Sequence, residues 1–196
     1  MAMPEHRNPE DGALEHLQVL RAQLGDRVAY ERLFERHHAP VLRYVHGLLS
    51  NGADAEDVMQ DVWVTIVRKI ATLEHPAAFQ RWMYRIARNR CVSRLRRSRR
   101  QVALEDLDDT EQLKISADLD DDNDPSLSSQ DAAALDAGLA RLSSVHREVL
   151  TLRFMNGLTY EEIAAVTACS IGTVRSRIYY GKQSLRTHIS PEEDRP

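Results

Sequence analysis

The chain has 196 residues, of which 42 % are hydrophobic and 29 % charged, and its formal net charge is −4. This length fits one or two small domains, and two are the better fit. No apolar run approaches the ~18 residues of a membrane helix, and the polar first dozen residues hold no signal core, so we expect a cytoplasmic protein without membrane insertion.

Charge is segregated along the chain. Residues 81–100 hold nine arginines and no acidic residue, whereas residues 101–130 hold ten carboxylates against the single Lys114. The acidic stretch therefore carries −9 and the rest of the chain +5. Because local potential attracts phosphate more than net charge does, a formally acidic protein of this kind can still bind a polyanion.

The first part of the chain predicts helices only. Residues 1–26 are expected to be a loose tail followed by a short helix, in which Leu14, Leu17, Leu20 and Leu24 recur at helical spacing. Residues 27–100 predict an all-helical first domain. Its first apolar series runs from Ala29 to Leu48, where Pro40 is expected to break or kink the helix, and the Ser-Asn-Gly stretch at 50–52 predicts a turn.

An amphipathic helix follows, from Asp54 to about Ile70. Its apolar side includes Val58, Val62 and Ile66, and its other side carries Glu56, Asp57, Gln60 and Asp61. Exposure to water alone accounts for such an acidic side, so these residues do not identify a binding partner by themselves. A loop at 71–76 then leads into an arginine-rich helix over about 77–100.

The arginine-rich helix combines three kinds of side chain on one surface. Arg81, Arg85 and Arg88 fall at i, i+4 and i+7, next to Trp82 and Asn89. Arginines of this kind hold phosphates, and an aromatic ring stacks on an unpaired base. The alternative for Trp82 is an ordinary core residue.

Residues 101–130 are too charged and too poor in apolar groups to bury a core, so we expect a flexible acidic linker. The second domain, over residues 131–190, predicts four helices, and residues 191–196 form a tail. The overall fold class is therefore all-α: two small helical domains joined by this linker.

The second domain contains a helix-turn-helix pattern between Leu158 and Leu185. Thr159 and Glu162 fit a capping box for its first helix, and Ser170 is placed to cap its second helix. Residues of the first helix that are expected to pack inward are Ile163, Ala164 and Val166. Such a pair of helices, when it is not an ordinary helical hairpin, reads duplex DNA with its second helix in the major groove.

The second helix of this pattern has two sides. Val174, Ile178 and Leu185 recur at helical spacing and can anchor it. The residues left for the outward side are Arg175, Ser176, Tyr179 and Lys182. Arg, Ser and Lys side chains reach phosphates and base edges, so this side is the candidate DNA-binding surface.

No metal, cofactor or catalytic site is indicated. Cys91 and Cys169 lie far apart and are expected to be reduced packing residues. His37, His38 and His46 have poor spacing for zinc and are expected to be core or solvated histidines.

With these motifs in view, the chain resembles the sigma-70 family of bacterial transcription initiation factors, and within it the compact extracytoplasmic-function (ECF) group. Residues 54–63 look like the family's core-polymerase-binding helix, and residues 78–89 are similar to its promoter-melting and minus-10-reading helix. Residues 142–150 and 172–177 match its minus-35-reading domain. Three motifs in this order, separated by a linker, are specific for this family.

The resemblance implies a factor that directs core RNA polymerase to promoters, without enzyme activity or cofactor of its own. Its partners would be promoter DNA, the clamp and flap regions of core polymerase, and an anti-sigma factor. Residues facing the polymerase would be Glu56, Asp57, Gln60 and Asp61. Residues at minus 10 would be Arg81, Trp82, Arg85, Arg88 and Asn89, with loop 71–79 shaping the pocket for a flipped base. Residues at minus 35 would be Thr173, Arg175, Ser176, Arg177, Tyr179 and Lys182.

Two features depart from the family pattern. Tyr180 stands where relatives often have a basic residue, and Gly181 follows where a helix former is common, so either a frayed second helix or fewer phosphate contacts than usual are expected there. The linker is also unusually acidic. Its carboxylates around Asp120–Asp124 would mimic nucleic acid in the polymerase cleft, which is the path that the family's linker takes.

Two other classes of protein remain as alternatives. A stand-alone LuxR-type regulator has a similar helix-turn-helix, but it would carry a sensor or receiver domain, for which the first domain here has no strand pattern. A nuclease would need carboxylates held rigidly around a metal, whereas the acidic run lies in a segment that is not expected to fold.

Overall fold

The computed structural model describes residues 9–49, 51–102 and 132–189. Every regular element in these ranges is a helix, and the chain divides into two compact units. The amino-terminal unit contains helices α1 to α4 and the carboxy-terminal unit contains α5 to α8. None of the described helices is long and apolar enough to cross a membrane.

Helix α1 (Pro9–Gln23) is present as expected, but it buries the opposite face from the leucines. Its buried side chains are Glu15, Gln18, Val19 and Ala22, whereas Leu14, Leu17, Leu20 and Leu24 are 42–89 % exposed. The leucines that recur at helical spacing therefore lie on the exposed face of α1. The small residues on the buried face let α1 approach α2 closely, and Glu15 supplies a polar contact there.

Helix α2 (Arg27–Leu48) begins at Asp26, whose carboxylate accepts hydrogen bonds from the backbone amides of Val28 and Ala29. A hydrogen bond from Arg21 is the main cause that lowers the pKa of this carboxylate. The helix continues without a break through Pro40, so the predicted break is wrong. Burial of Val41, Tyr44 and Val45 just beyond the proline stabilises this continuation.

Glu15 joins α1 to α2 inside the unit. Its carboxylate Oε2 lies 3.1 Å from Nε2 of His37 and 3.6 Å from Nε of Arg36. Glu15 and His37 are both buried, and a buried carboxylate requires polar partners. This contact explains why a charged residue occupies the packed face of α1.

Helices α3 (Gly52–Lys69) and α4 (Phe79–Val102) pack against each other and against α2. Asn51 caps α3 by accepting a hydrogen bond from the Ala53 amide, at the predicted turn. Two 3-10 turns, Ile70–Thr72 and Pro76–Ala78, connect the two helices. The buried residues of α4 are Phe79, Met83, Tyr84, Ala87 and Cys91, a single apolar stripe along an otherwise basic helix.

The carboxy-terminal unit has the four expected helices. They are α5 (Ala132–Arg141), α6 (Ser144–Leu150), α7 (Tyr160–Thr167) and α8 (Ile171–Ile189), and a wider π-helical turn, Thr151–Met155, extends α6. Their core includes Leu142, Val149, Leu152, Leu158, Ile163, Val174 and Leu185. Burial of a side chain of this size contributes about 1.5–3 kcal/mol, so a unit this small depends on most of them.

Gly181 does not fray helix α8. The helix runs unbroken to Ile189, and Gly181 is buried against α6. A methyl group on its Cα would lie 3.2 Å from Cγ and Cδ1 of Leu150 and 3.4 Å from Cβ of His146. The expected fraying is therefore wrong, because the missing side chain permits a close approach of two helices that offsets the poor helix propensity of glycine.

Arg147 completes the carboxyl end of α5. Its Nε donates to the Leu139 carbonyl at 2.8 Å, and its Nη2 donates to the carbonyls of Ala140 and Leu142 at 2.8 and 2.9 Å. The last carbonyls of a helix have no partner within it, and a cation at this end also opposes the helix dipole. One guanidinium thus ties α5 to α6.

The acidic linker falls outside the described residues. Of the stretch 101–130, only Gln101 and Val102 are described, and they belong to the end of α4. The interpretation of Asp120–Asp124, of the loose tail before Pro9 and of residues 191–196 likewise lies outside the described ranges.

We expect Arg147→Lys to destabilise the carboxy-terminal unit by about 1–2 kcal/mol, because one ammonium cannot reach three carbonyls in the planar arrangement of a guanidinium. Amide hydrogen exchange of α5 and α8 in the full chain measures this loss for the unit alone. Arg141→Lys, at an exposed position of α5, is the matched control. Equal protection in both variants would contradict the assigned role of Arg147.

Candidate nucleic-acid interfaces

The first candidate surface lies at the start of α4. Arg81 and Trp82 are half-buried and Arg85 is exposed, and within the amino-terminal unit all three border one open depression together with loop residues Thr72–His75. Two guanidinium groups and an indole ring therefore lie next to this loop. This arrangement suits a nucleotide, whose phosphate and base need a cation and a flat apolar partner respectively.

Trp82 lies between the core and the surface of the unit. Its ring centroid lies 6.1 Å from that of Phe79, which is fully buried, so one side of the indole rests on the core. The residue is nevertheless half-buried rather than buried, and it contributes to the depression. A ring fixed by the core on one side is a rigid stacking partner on the other, because little rotamer freedom is lost on binding.

Arg88 and Asn89 lie further along α4, beyond the residues that line the depression. Arg88 is half-buried and Asn89 is exposed. The structure therefore brings Arg81, Trp82 and Arg85 together with the loop and leaves the other two predicted residues on the adjoining part of the helix.

Two further arginines of α4 pair with α3. Arg90 donates from Nη2 to Oγ1 of Thr65 at 2.8 Å, and Arg94 forms an ion pair with Asp54. The hydrogen bond from Arg94 lowers the pKa of Asp54, and Asp54 in turn raises the pKa of Arg94. These arginines orient α4 within the unit, a distinction that the run of nine arginines in the sequence does not reveal.

The second candidate surface is the exposed side of α3. Glu56, Asp57, Gln60 and Asp61 are all exposed, and they fall as two pairs four residues apart. Exposed Val64 and Val67 continue the same helix beyond them. A carboxylate and amide surface with an apolar margin can contact a basic protein partner.

The third candidate surface is the helix-turn-helix of the carboxy-terminal unit. The capping box is confirmed: Thr159 Oγ1 accepts from the Glu162 amide at 3.2 Å, and Glu162 Oε2 accepts from the Thr159 amide at 2.9 Å. Helix α7 ends at Ala168 in the left-handed conformation, with φ of 55°. Ser170 Oγ then accepts from the Thr173 amide at 3.0 Å, which confirms its capping of α8.

The inward side of this motif is largely as expected. Ile163, Val166, Val174, Ile178 and Leu185 are buried, and Ala164 is half-buried. Burial on both helices fixes the angle between them, and this angle determines how α8 can enter a groove.

The predicted minus-35 residues differ in how they are held. Arg175 is exposed, whereas Thr173, Ser176, Arg177, Tyr179 and Lys182 are half-buried. Ser176 Oγ donates to the Thr173 carbonyl at 3.1 Å, and the Tyr179 hydroxyl accepts from Gln183 at 2.9 Å. Lys182 Nζ lies 4.8 Å from the centre of the Phe154 ring. Arg175 therefore projects furthest from the helix core.

Arg177 faces the interior of the motif more than Arg175 does. Its Nη1 lies 3.7 Å from Sγ of Cys169, in the turn between the two helices. Desolvation, aided by the charge of Arg177, lowers the pKa of His146 on α6. Arg177 is thus next to both the turn and α6, from which its guanidinium can stabilise the motif as well as contact DNA.

The cysteines and histidines of the described ranges lie in different environments. No group of three or more His, Cys, Asp or Glu side chains there could hold a metal ion. Cys91 is buried, Cys169 is half-buried, and both are free thiols. His37 is buried and His46 exposed, in line with the expectation for these histidines.

One residue with a clear contact to the loop was missed by the sequence analysis. Gln23, at the end of α1, donates from Nε2 to the backbone carbonyls of Ile70 and Leu73. No sequence signal identifies it, because its partners are backbone atoms 47 and 50 residues away.

Comparisons with known proteins match both helical units. Sequence models of sigma-70 region 2 and sigma-70 region 4 match residues 33–101 and 132–185. The chain is 32 % identical to the ECF RNA polymerase sigma-E factor of Haemophilus influenzae, over 88 % of this chain and 94 % of that protein. It is 30 % identical to the RNA polymerase sigma-H factor of Pseudomonas aeruginosa, over 88 % of this chain and 92 % of that protein.

Solved structures show the same fold. The sigma factor RpoE of Bartonella quintana, in complex with the anti-sigma factor NepR, matches with a TM-score of 0.64 and 25 % identity, over 85 % of this chain and 98 % of that chain. CnrH, in complex with the cytosolic domain of CnrY, matches with a TM-score of 0.62 and 20 % identity, over 91 % of this chain and 99 % of that chain.

Proposed function

We propose a division of transcription initiation between the two units of this chain, which belongs to the ECF group of the sigma-70 family of RNA polymerase sigma factors. It is a transcription initiation factor that directs core RNA polymerase to specific promoters. A stand-alone LuxR-type regulator is not favoured, because both helical units match sigma regions and not the helix-turn-helix alone.

Residues 27–100, which make up most of the amino-terminal unit, capture the minus-10 element. The observation that carries this assignment is the depression in which Arg81, Trp82 and Arg85 meet loop Thr72–His75. A base flipped from the melted non-template strand stacks there, and Arg88 and Asn89 contact the strand along α4. Flipping costs little at this point because promoter melting already unpairs the base.

The carboxy-terminal unit, residues 131–190, reads the minus-35 duplex with α8. Arg175 is the principal base-reading candidate because it is the most exposed of the set. Thr173 and Ser176 lie in the first turns of α8, where backbone amides also favour phosphate. Tyr179, Lys182 and Arg177 complete the contact surface. The acidic stretch 101–130 links the two units.

The acidic side of α3, with Glu56, Asp57, Gln60 and Asp61, binds the clamp of core polymerase, and the carboxy-terminal unit contacts its flap. An anti-sigma factor controls access to these surfaces, in line with the anti-sigma complex of the Bartonella quintana relative. The chain has no catalytic role of its own and acts in the cytoplasm, where core polymerase and promoter DNA meet.

Run-off transcription tests this function directly. Core polymerase with the purified chain should produce RNA from those members of a promoter library that share a minus-35 and a minus-10 element at fixed spacing, and core polymerase alone should not. Specific binding of the chain alone to intact duplex, without any gain in transcription, would instead identify a stand-alone regulator.

Arg175→Ala should reduce initiation only where the minus-35 element is intact. Loss of a bidentate base contact costs about 1–3 kcal/mol, so the ratio of transcripts from intact and scrambled minus-35 templates should fall roughly tenfold or more. Arg186→Ala, which removes an exposed arginine further along α8, is the control and should keep the ratio. An unchanged ratio in Arg175→Ala would remove Arg175 from the base-reading set.

Asp57→Asn combined with Asp61→Asn should weaken binding to core polymerase on the order of tenfold at low salt, because two charge-assisted contacts are lost. The loss should shrink as salt is added. Glu31→Gln combined with Glu35→Gln removes two exposed carboxylates from α2 and serves as the control. Competition with a labelled chain for core polymerase measures both, and equal affinities would place the clamp contact elsewhere.

A further inference from the structure

Gln23 connects helix α1 to the loop that shapes the minus-10 depression. Its Nε2 donates to the Leu73 carbonyl at 2.7 Å and to the Ile70 carbonyl at 3.0 Å. Both hydrogens of one amide group are thus used on two carbonyls three residues apart. A single side chain outside the 3-10 turn Ile70–Thr72 therefore holds the carbonyl groups at its two ends.

The loop has local contacts of its own, and Ile70, which is fully buried, anchors the turn that precedes its exposed part. The Leu73 amide donates to the Ile70 carbonyl at 3.1 Å, and Thr72 Oγ1 donates to the Lys69 carbonyl at 2.8 Å. Thr72, Glu74 and His75 are exposed. Exposed loops with few buried contacts open at low free energy, so an external hydrogen-bond donor has a large effect on their conformation.

Helix α1 is a firm support for Gln23. The buried pair of Glu15 and His37 holds the middle of α1 to α2, and Val19 and Ala22 are fully buried beside it. Gln23 itself is half-buried, which weakens competition from water for its amide hydrogens. The position of the loop is therefore set by α2 through α1, and not only by the adjoining helices α3 and α4.

We propose that Gln23 is a positioning residue for minus-10 recognition: it holds loop Thr72–His75 in its conformation beside Arg81 and Trp82. This inference rests on the proposed base capture at that depression. It gives the amino-terminal helix a role in promoter recognition, although no residue of α1 touches DNA in this account.

A binding cycle tests the proposal in the full chain bound to core polymerase. The probe is a single-stranded oligonucleotide with the non-template minus-10 sequence found by run-off selection, and a matched series in which each base in turn is removed. Fluorescence anisotropy gives the affinities of the unmodified chain, of Gln23→Met and of Leu20→Gln. Met keeps the length of Gln without its donors, and Leu20 is an exposed residue of the same helix.

The unmodified chain and Leu20→Gln should lose affinity when the captured base is removed. Gln23→Met should bind the intact oligonucleotide roughly three- to tenfold more weakly and should bind the oligonucleotide without that base as the unmodified chain does, since only the pocket contact is lost. Gln23→Asn, whose amide is one methylene too short for both carbonyls, should behave in the same way.

Two results overturn the proposal separately from the function. If Gln23→Met keeps the full penalty for the missing base, or weakens both oligonucleotides equally, Gln23 has no positioning role at the pocket. If the unmodified chain shows no penalty at any position, base capture at the depression is itself wrong, and the inference about Gln23 is withdrawn with it.

Discussion

Helix α4 must carry a dense row of arginines and still be held by an apolar core, and this double requirement organises the amino-terminal unit. The core is supplied by one narrow stripe, from Phe79 through Tyr84 to Cys91. Mutual repulsion of the arginines opposes helix formation. The ion pair of Arg94 with Asp54 relieves part of this repulsion, and together with the hydrogen bond from Arg90 to Thr65 it orients α4 against α3. The remaining cations near Arg81 and Arg85 are then presented on a defined side.

The same requirement explains how a chain of net charge −4 can act on DNA. Cations at the start of α4 and on α8 are concentrated on two separate surfaces, whereas the exposed carboxylates of α3 form another. Because screening limits electrostatic attraction to roughly 8–10 Å in ordinary salt, the charges nearest to a partner matter more than the net charge of the chain. Net charge therefore says little about what such a chain binds, and the placement of charge on helix faces says much more.

The sequence predicts the helices and the helix-turn-helix well because their signals are local. The Thr159–Glu162 capping box and the Ser170 cap are short-range patterns, and the structure confirms both. The buried face of α1 was not predicted and the fraying at Gly181 was predicted wrongly, because each depends on a partner far away along the chain. Glu15 is buried next to His37, and Gly181 lies so close to Leu150 that an added Cβ would be 3.2 Å from its side chain. The pattern of hydrophobic residues along one helix indicates neither of these two contacts.

The same difference between local patterns and distant contacts applies to the candidate sites. Exposure of Arg175 or Asp61 follows from helical periodicity, so the sequence places these residues correctly on the surface. Which arginines of α4 serve the structure, and what holds the loop before it, depend on contacts across the unit. Gln23 is the clearest case, since a glutamine at the end of a helix has no distinctive pattern, yet its two backbone partners join the first helix to the loop. The geometry of a site formed by a loop depends on the residues that support the loop. For loop Thr72–His75 much of this support comes from α1, a helix that carries none of the proposed DNA contacts.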